Sequence, residues 1–258
     1  MSNRIPLNPR AKASRTGIAS AALLCIIGTA SQSLASETLA SEISVYHIGN
    51  SLTQDARAGG GGLEELTGFT HEYHVQCGSS LTLTLDNPNP CVNRPGEDIR
   101  WDLADLESYD ALVLQPHTNN TWQEELDAAV SFASLAPDVE LFVYATWGTT
   151  TAGDWNRSFD GANERLGQHL AGYEWFIEQL GDRGFDATLI NAGQAFEDAG
   201  GGPDLYRDTI HASFGVGRTL AATTVANALT LALIPEPTTG MLLLAGTTLI
   251  ARRKRRAV

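Results

Sequence analysis

Short strand-like segments and helix-like segments alternate along most of this chain. Apolar or β-branched segments that are typical of strands cover residues 43–48, 70–76, 111–114, 139–146 and 187–191. Segments with helical spacing of apolar residues cover residues 122–135, 159–180 and 212–233. Because parallel strands need crossover connections, this alternation predicts a parallel sheet covered by helices on both faces. We therefore predict an α/β fold, a three-layer α/β/α sandwich with a five-stranded parallel sheet.

Residues 1–35 have the layout of a secretory signal peptide. A start with four cationic side chains precedes an apolar stretch over residues 18–30 and a small-residue site at residues 33–35. The apolar stretch is shorter than the roughly 20 residues that a membrane-spanning helix needs. We therefore expect residues 1–35 to be cleaved during export and residues 36–233 to form the exported domain.

Residues 234–258 have three parts in a specific order. Pro235-Glu236-Pro237 comes first, followed by the apolar residues 240–250 and the basic cluster at residues 252–256. This order resembles the PEP-CTERM sorting tail. The resemblance implies a Gram-negative bacterium and an exosortase-type membrane protease that removes the tail after transient membrane insertion, with the basic end in the cytoplasm. A permanent C-terminal membrane anchor is the alternative.

The predicted exported domain is strongly acidic. The whole chain has 17 Lys and Arg against 30 Asp and Glu, a net charge of −13, and nine of the cations lie in the two ends. The eight cations that remain are all arginines. Because such a surface repels nucleic acid, we expect no nucleic-acid partner. The length that remains, about 200 residues, suits one domain.

A serine directly follows the first predicted strand, in Gly49-Asn50-Ser51-Leu52. Open α/β folds bind ligands at the carboxyl edge of the sheet, so a serine at this turn exposes its hydroxyl where a substrate would lie. Serine needs a base to remove its proton, and a histidine oriented by a carboxylate is the usual base. Asp208 and His211, ahead of the last predicted helix, supply both groups. The sequence therefore predicts a serine esterase.

Four sequence blocks together resemble the SGNH (GDSL-type) hydrolases. They are Gly49-Asn50-Ser51-Leu52, Cys77-Gly78-Ser79-Ser80-Leu81, Pro116-His117-Thr118-Asn119 and Asp208-Thr209-Ile210-His211. The resemblance implies the flavodoxin-like SGNH fold, with Ser51 as nucleophile, His211 as general base and Asp208 as the carboxylate that orients the base. It also implies an oxyanion hole made of the N–H of Ser51, the N–H of Gly78 and the side-chain amide of Asn119. We expect no metal and no organic cofactor.

Two blocks depart from the family pattern. Family members usually carry Asp at the position of Asn50, which lies beside the nucleophile and outside the triad. The third block normally reads Gly-x-Asn-Asp, whereas residues 117–120 read His-Thr-Asn-Asn. Gln115, at the end of the third predicted strand, could supply the same amide as Asn119. Both residues therefore stay open as the third oxyanion donor.

Side chains near these blocks give further predictions. Cys77 and Cys91 are the only cysteines outside the signal peptide, and an oxidising compartment favours a disulfide between them. His117 and Trp147 are the candidate substrate-binding residues. We expect His117 in the wall of the pocket, and Trp147 either as a platform for a sugar ring or packed in the interior.

The predicted function is that of a secreted esterase. It would hydrolyse an acyl ester, with acetyl as the expected group, on a carbohydrate or a small molecule through an acyl-serine intermediate. Signal peptidase and an exosortase-type protease are the expected partners during export to the cell envelope or beyond. Two alternatives stay open: an inactive relative that binds glycan through the same cleft, and an extracellular matrix protein.

Overall fold

The computed structural model describes residues 42–91, 99–117, 120–148 and 155–234. Its strands are β1 (Ser44–Gly49), β2 (Thr70–Val75), β3 (Ala111–Leu114), β4 (Glu140–Ala145) and β5 (Ala187–Asn191). Its α-helices are α1 (Ser51–Arg57), α2 (Leu63–Thr67), α3 (Leu81–Asp86), α4 (Trp122–Ser134), α5 (Leu170–Asp182), α6 (Ala192–Asp198) and α7 (Val216–Leu233). The predicted signal peptide and, from residue 235, the predicted sorting tail lie outside the described residues. Within these ranges no helix is long and apolar enough to span a membrane.

The five strands form one parallel sheet in the order β2-β1-β3-β4-β5. The predicted α/β sandwich with a five-stranded parallel sheet is therefore confirmed. The chain runs from β1 to β2 on one side and then crosses to β3 on the other side of β1. Ligands of open α/β sheets bind at such a switch point, in the crevice beyond the carboxyl ends of the strands. The turn that carries Ser51 follows β1 at this crevice.

Side chains alternate between two apolar layers, one on each face of the sheet. In β3, Ala111 and Val113 face the layer built with α1, α2, α6 and α7. Leu112 and Leu114 face the layer built with α3, α4 and α5. Because both faces are covered, β3 and β4 are nearly continuous apolar runs that can be read from the sequence. β2 differs, because it also carries His71, Glu72 and His74.

The predicted helix over residues 159–180 begins only at Leu170. The residues before it pair with the start of α4 instead: the Trp122 N–H donates to the Glu164 carbonyl at 3.1 Å, and the Gln123 N–H donates to the Ala162 carbonyl at 2.9 Å. His169 then starts α5, because its Nδ1 accepts from the Gly172 N–H at 3.2 Å. Long-range backbone pairing therefore replaces the first half of the predicted helix.

Candidate active site

Ser51 is the first residue of α1, directly beyond the end of β1. The preceding Asn50 has an extended backbone, with φ −123° and ψ −152°, and its Oδ1 accepts from the Leu52 N–H at 3.0 Å. This side-chain cap starts the helix at Ser51. Gly49 is required before it, because a Cβ there would lie 2.1 Å from Thr53 Oγ1. The turn presents a partly exposed Ser51 at the carboxyl edge of the sheet.

The loop before α7 brings Asp208 and His211 to this serine. His211 Nε2 lies 2.9 Å from Ser51 Oγ, and His211 Nδ1 lies 2.8 Å from Asp208 Oδ2. Because an ionised carboxylate only accepts hydrogen bonds, His211 Nδ1 carries the proton. His211 Nε2 therefore accepts a hydrogen bond from the Ser51 hydroxyl. This is the arrangement that activates a serine as a nucleophile.

Asp208 is held ionised by its own loop. Its Oδ1 accepts from the backbone N–H groups of His211 at 2.8 Å and Ile210 at 2.9 Å. These hydrogen bonds, together with the contact to the imidazole, lower the pKa of Asp208 to about 2, because they favour the charged form. The Asp208 and His211 side chains are 47% and 27% exposed, so the pair is open to solvent and to a substrate.

Gly78 follows β2 at the same edge of the sheet. Its φ of +67° lies in the left-handed region, and a Cβ there would meet nothing within 4 Å. Glycine is therefore needed here for its backbone conformation and not for space. A disulfide between Cys77 and Cys91 lies next to it, and the Cys91 N–H donates to the Val75 carbonyl at 2.9 Å. These contacts tie the loop of Gly78 to the end of β2.

Asn50 connects the nucleophile turn to the same loop. Its Nδ2 donates to the Ser79 carbonyl at 3.1 Å while its Oδ1 caps α1. Asn at this position, where the SGNH hydrolases usually have Asp, thus gives a contact between the first two sequence blocks. An aspartate has no proton to donate to that carbonyl when it is ionised.

Gln115 supports the nucleophile turn. Its buried Oε1 accepts from the Asn50 N–H at 3.0 Å and from the Thr53 hydroxyl at 3.2 Å. The Asn50 N–H fixes which end of the amide is the oxygen, and Nε2 then donates to the Pro116 carbonyl at 2.8 Å. One of the two Nε2 protons of this alternative oxyanion donor is thus used by the Pro116 carbonyl. Asn119, the other candidate, lies outside the described residues.

His117 and Trp147 have different environments. His117 is only 8% exposed, and its Nδ1 has no hydrogen-bond partner among the described residues. Burial lowers the pKa of His117, which keeps the imidazole neutral. Trp147 is fully buried, stacks on Phe196 at 4.2 Å between centroids, and donates from Nε1 to the Ile210 carbonyl at 2.7 Å. The expectation that Trp147 is a sugar platform is therefore wrong; it supports the loop of Asp208 and His211.

Sequence reasoning missed two buried carboxylates beside the site, Asp55 and Glu125. Glu125 Oε2 accepts from the N–H groups of Leu81 at 2.9 Å and His117 at 3.0 Å, and its Oε1 accepts from Asn120 Nδ2 at 3.0 Å. Glu125 thus joins the second and third sequence blocks, and burial raises the pKa of Glu125. A signal did exist, because both acids fall at helical spacing among buried apolar residues.

Within the described ranges, no group of three or more His, Cys, Asp or Glu side chains could hold a metal ion.

Solved structures share this fold. A candidate SGNH hydrolase from Slackia heliotrinireducens aligns with a TM-score of 0.52 at 23% identity, covering 72% of this chain and 98% of its own. A candidate GDSL-like lipase from Parabacteroides merdae aligns with a TM-score of 0.50 at 12% identity, covering 74% of this chain and 96% of its own. No protein-family model and no curated protein sequence matches the chain at a significant level. The chain has the flavodoxin-like fold of the SGNH hydrolases.

Proposed function

We propose that this protein is a serine ester hydrolase that works through an acyl-serine intermediate. One observation carries the proposal: Ser51 Oγ, His211 and Asp208 are connected by contacts of 2.9 Å and 2.8 Å at the carboxyl edge of the sheet. The same fold occurs in candidate SGNH hydrolases, which supports ester hydrolysis as the class of reaction. A serine in an ordinary helix-capping turn would not require this alignment with an oriented imidazole.

In the first half of the reaction, His211 Nε2 takes the proton from Ser51 Oγ as the oxygen attacks the ester carbonyl carbon. The carbonyl oxygen becomes an oxyanion. The tetrahedral species then collapses, its bond to the alcohol oxygen breaks, and His211 returns the proton to the leaving alcohol. Asp208 stabilises the imidazolium that exists between these proton transfers and remains ionised throughout.

In the second half, water replaces the alcohol. His211 Nε2 takes a proton from water, and the water oxygen attacks the acyl carbon. Collapse of the second tetrahedral species releases the carboxylic acid and returns the proton to Ser51 Oγ. The net reaction consumes one ester and one water and yields one acid and one alcohol, with no cofactor required.

The oxyanion needs donors that are already in place. Ser51 is the first residue of α1, where backbone N–H groups have no acceptor within the helix. We assign its N–H, the N–H of Gly78 and the side-chain amide of Asn119 to this role. Loss of one such donor typically costs about 3 kcal/mol of transition-state stabilisation.

For the substrate, we propose an acyl ester on a carbohydrate, with acetyl as the first candidate. The support is the resemblance of the C-terminal segment to a sorting signal associated with extracellular polysaccharide. Trp147 and Trp155 give no support, because both are buried. Phe214 lies three residues after His211 and is 73% exposed, so it is available to contact a sugar ring or an acyl group.

We also propose that the protein is exported, with removal of residues 1–35 by signal peptidase and processing of the tail at residues 234–258 by an exosortase-type protease. The Cys77–Cys91 disulfide suits an oxidising compartment. Intact-mass analysis of the secreted protein tests the processing: a species that retains residues 241–258 would contradict it.

Hydrolysis of p-nitrophenyl acetate by residues 36–233 tests the reaction, with Ser51→Ala prepared in parallel. We expect turnover that disappears in Ser51→Ala, and a covalent adduct on Ser51 after treatment with a phosphonate ester. Acetylated glycans are then screened for release of acetate. Absence of both turnover and adduct from the parent protein would overturn the proposal and favour a glycan-binding role, which predicts sugar affinity that survives Ser51→Ala.

A further inference from the structure

Asp55 is an anion buried beneath the candidate active site. It lies four residues after Ser51 on α1, so both side chains are on the same side of the helix. Its Oδ1 accepts from Arg207 Nη1 at 2.6 Å and from Arg218 Nε at 2.9 Å. Its Oδ2 accepts from the Ala212 N–H at 2.9 Å. A fully buried carboxylate with this set of donors is costly to remove, because its partners would be left unpaired.

Two of these donors flank the loop that carries the acid and the base. Arg207 directly precedes Asp208, and Ala212 directly follows His211. The Arg207 N–H also donates to the His211 carbonyl at 3.0 Å, and Arg207 Nη1 donates to the Ala212 carbonyl at 2.8 Å. One carboxylate therefore fixes both ends of this loop to the helix that begins with the nucleophile.

Arg207 also lies close to the triad carboxylate. Its Nε is 3.9 Å from Asp208 Oδ2, while Asp55 holds its Nη1. Without Asp55, the guanidinium would keep its contacts with the Ala212 carbonyl and the Phe214 ring but would lose its closest anion. It could then pair more closely with Asp208 and compete with His211 for that carboxylate. Asp55 thus has two tasks that one side chain can perform: holding the loop and restraining the neighbouring cation.

We propose that Asp55 is a positioning residue that aligns His211 with Ser51 and prevents a closer ion pair between Arg207 and the Asp208 carboxylate. The catalytic part of this proposal rests on the ester hydrolase function proposed above. The position of His211 relative to its neighbours does not, and it can be measured in the resting protein.

The test compares Asp55→Asn with the parent by ester hydrolysis and by an NMR titration of the His211 imidazole. Asn has the same shape and keeps an acceptor for the Ala212 N–H. We expect kcat for p-nitrophenyl acetate to fall on the order of 10- to 100-fold with little change in KM, because the reacting groups are misplaced. The pH midpoint of the His211 titration should move to lower pH. Arg207 then pairs with Asp208, so that carboxylate stabilises the protonated imidazole less.

Two further variants separate positioning from folding. Adding Arg207→Gln to Asp55→Asn removes the competing cation and should restore part of the rate and of the His211 midpoint. Asp110→Asn is the control, because Asp110 accepts from the Ser44 N–H at 2.8 Å and its hydroxyl at 2.9 Å at the opposite end of the strands. It should change neither readout.

Arg207→Gln alone keeps the ion pair between Asp55 and Arg218. It removes the cation next to Asp208, so the pH midpoint of the His211 titration should move to higher pH. This variant therefore tests the proposal even if Asp55→Asn does not fold. The proposal would be overturned if the pH midpoint of the His211 titration were unchanged in all variants. It would also be overturned if kcat of Asp55→Asn, calculated per Ser51 that reacts with the phosphonate ester, equalled that of the parent. If the parent protein hydrolyses no ester but the variants still shift the His211 midpoint as expected, the hydrolase function is rejected. The positioning of His211 by Asp55 is then still supported.

Discussion

Asn50 Nδ2 lies 3.1 Å from the Ser79 carbonyl oxygen, and this hydrogen bond connects the turn of the nucleophile to the loop of Gly78. The other end of the same side chain caps α1 through the Leu52 N–H. One buried amide therefore aligns two of the proposed oxyanion donors, the N–H groups of Ser51 and Gly78. The donor end of this amide is what the usual family Asp would lack.

We predict that Asn50→Asp, which introduces the residue usual in the SGNH hydrolases, is harmful in this protein. The carboxylate can still accept from the Leu52 N–H, but it leaves the Ser79 carbonyl without its donor and places a negative charge against it. Loss of one partner of a buried hydrogen bond costs about 1–3 kcal/mol of unfolding free energy. Urea denaturation should show this loss, and kcat for p-nitrophenyl acetate should fall.

Asn191→Asp is the matched control for this substitution. Asn191 caps α6 in the same way, with Oδ1 accepting from the Gln194 N–H at 3.0 Å. Because Asp is as good an N-cap as Asn, we expect little change in stability or turnover. An Asn50→Asp protein that is as stable and as active as the parent would show that the Ser79 contact has no role.

Gly78→Ala isolates the effect of backbone conformation at the proposed oxyanion hole. The added Cβ meets no atom within 4 Å, so strain at φ +67° is the only direct effect. That strain costs on the order of 1–2 kcal/mol, which the loop can relieve only by moving the Gly78 N–H. Ester hydrolysis gives the loss of transition-state stabilisation from the fall in kcat, and urea denaturation gives the loss of unfolding free energy. We expect the first loss to exceed the second.

Gly184→Ala provides the comparison. Gly184 has a φ of +88° and equally open space for a Cβ, but it lies in the turn between α5 and β5, at the opposite end of the sheet. The Gly184→Ala protein should lose a similar free energy of unfolding and should keep the kcat of the parent. Equal kinetic effects from the two substitutions would argue against a special role for Gly78.

Glu125→Gln should disturb the contacts of His117 and Asn120, the described residues on either side of Asn119. Leu81 and His117 share Glu125 Oε2, so the one Gln oxygen can accept from both N–H groups. The Gln NH2 then lies at the Oε1 position, against the Asn120 Nδ2 and Thr82 N–H donors. We expect a loss of about 1–3 kcal/mol in unfolding free energy and a fall in kcat. The neighbouring Glu124 is exposed and closes a capping box with Thr121, a role that Gln can also perform. Glu124→Gln should therefore be nearly silent, and equal effects from both substitutions would contradict the assignment.

The strands could be predicted from the sequence because buried parallel strands are short apolar runs between turns. The predicted β3 and β5 match the observed bounds, and β1 differs by one residue at each end. The predicted helix over residues 159–180 failed in its first half because pairing with the start of α4 decides that segment. No local pattern contains that information.

The candidate site was only partly readable for the same reason. Ser51, Asp208 and His211 are recognisable from short blocks in a fixed order, and the structure brings them together. The burial of Trp147 depends on its stacking with Phe196, far along the chain. Asp55 finds its arginines more than 150 positions away, so its role requires the tertiary structure.

Two buried histidines, His47 in β1 and His71 in β2, form a pair on one face of the sheet. His47 Nε2 lies 2.9 Å from His71 Nδ1, and His71 Nε2 lies 2.9 Å from Thr67 Oγ1. Burial lowers the pKa of His47 well below its usual value and the pKa of His71 to about 4. Both imidazoles are therefore neutral in the folded protein near neutral pH.

The sign of the pH effect follows from proton binding. An unfolded histidine has a pKa of about 6.5, so the unfolded chain binds more protons than the folded protein between about pH 6.5 and pH 4. The stability due to neutral His71 is therefore present above pH 6.5 and is lost as the pH falls toward 4, by about 3 kcal/mol. Urea unfolding at pH 7.5 and pH 4 measures the loss. In His71→Gln the same drop in pH should remove less unfolding free energy, because one of the two buried imidazoles is gone. The carboxylates that also titrate in this range are the same in both proteins. Equal losses in parent and variant would mean that protonation of His71 does not oppose folding.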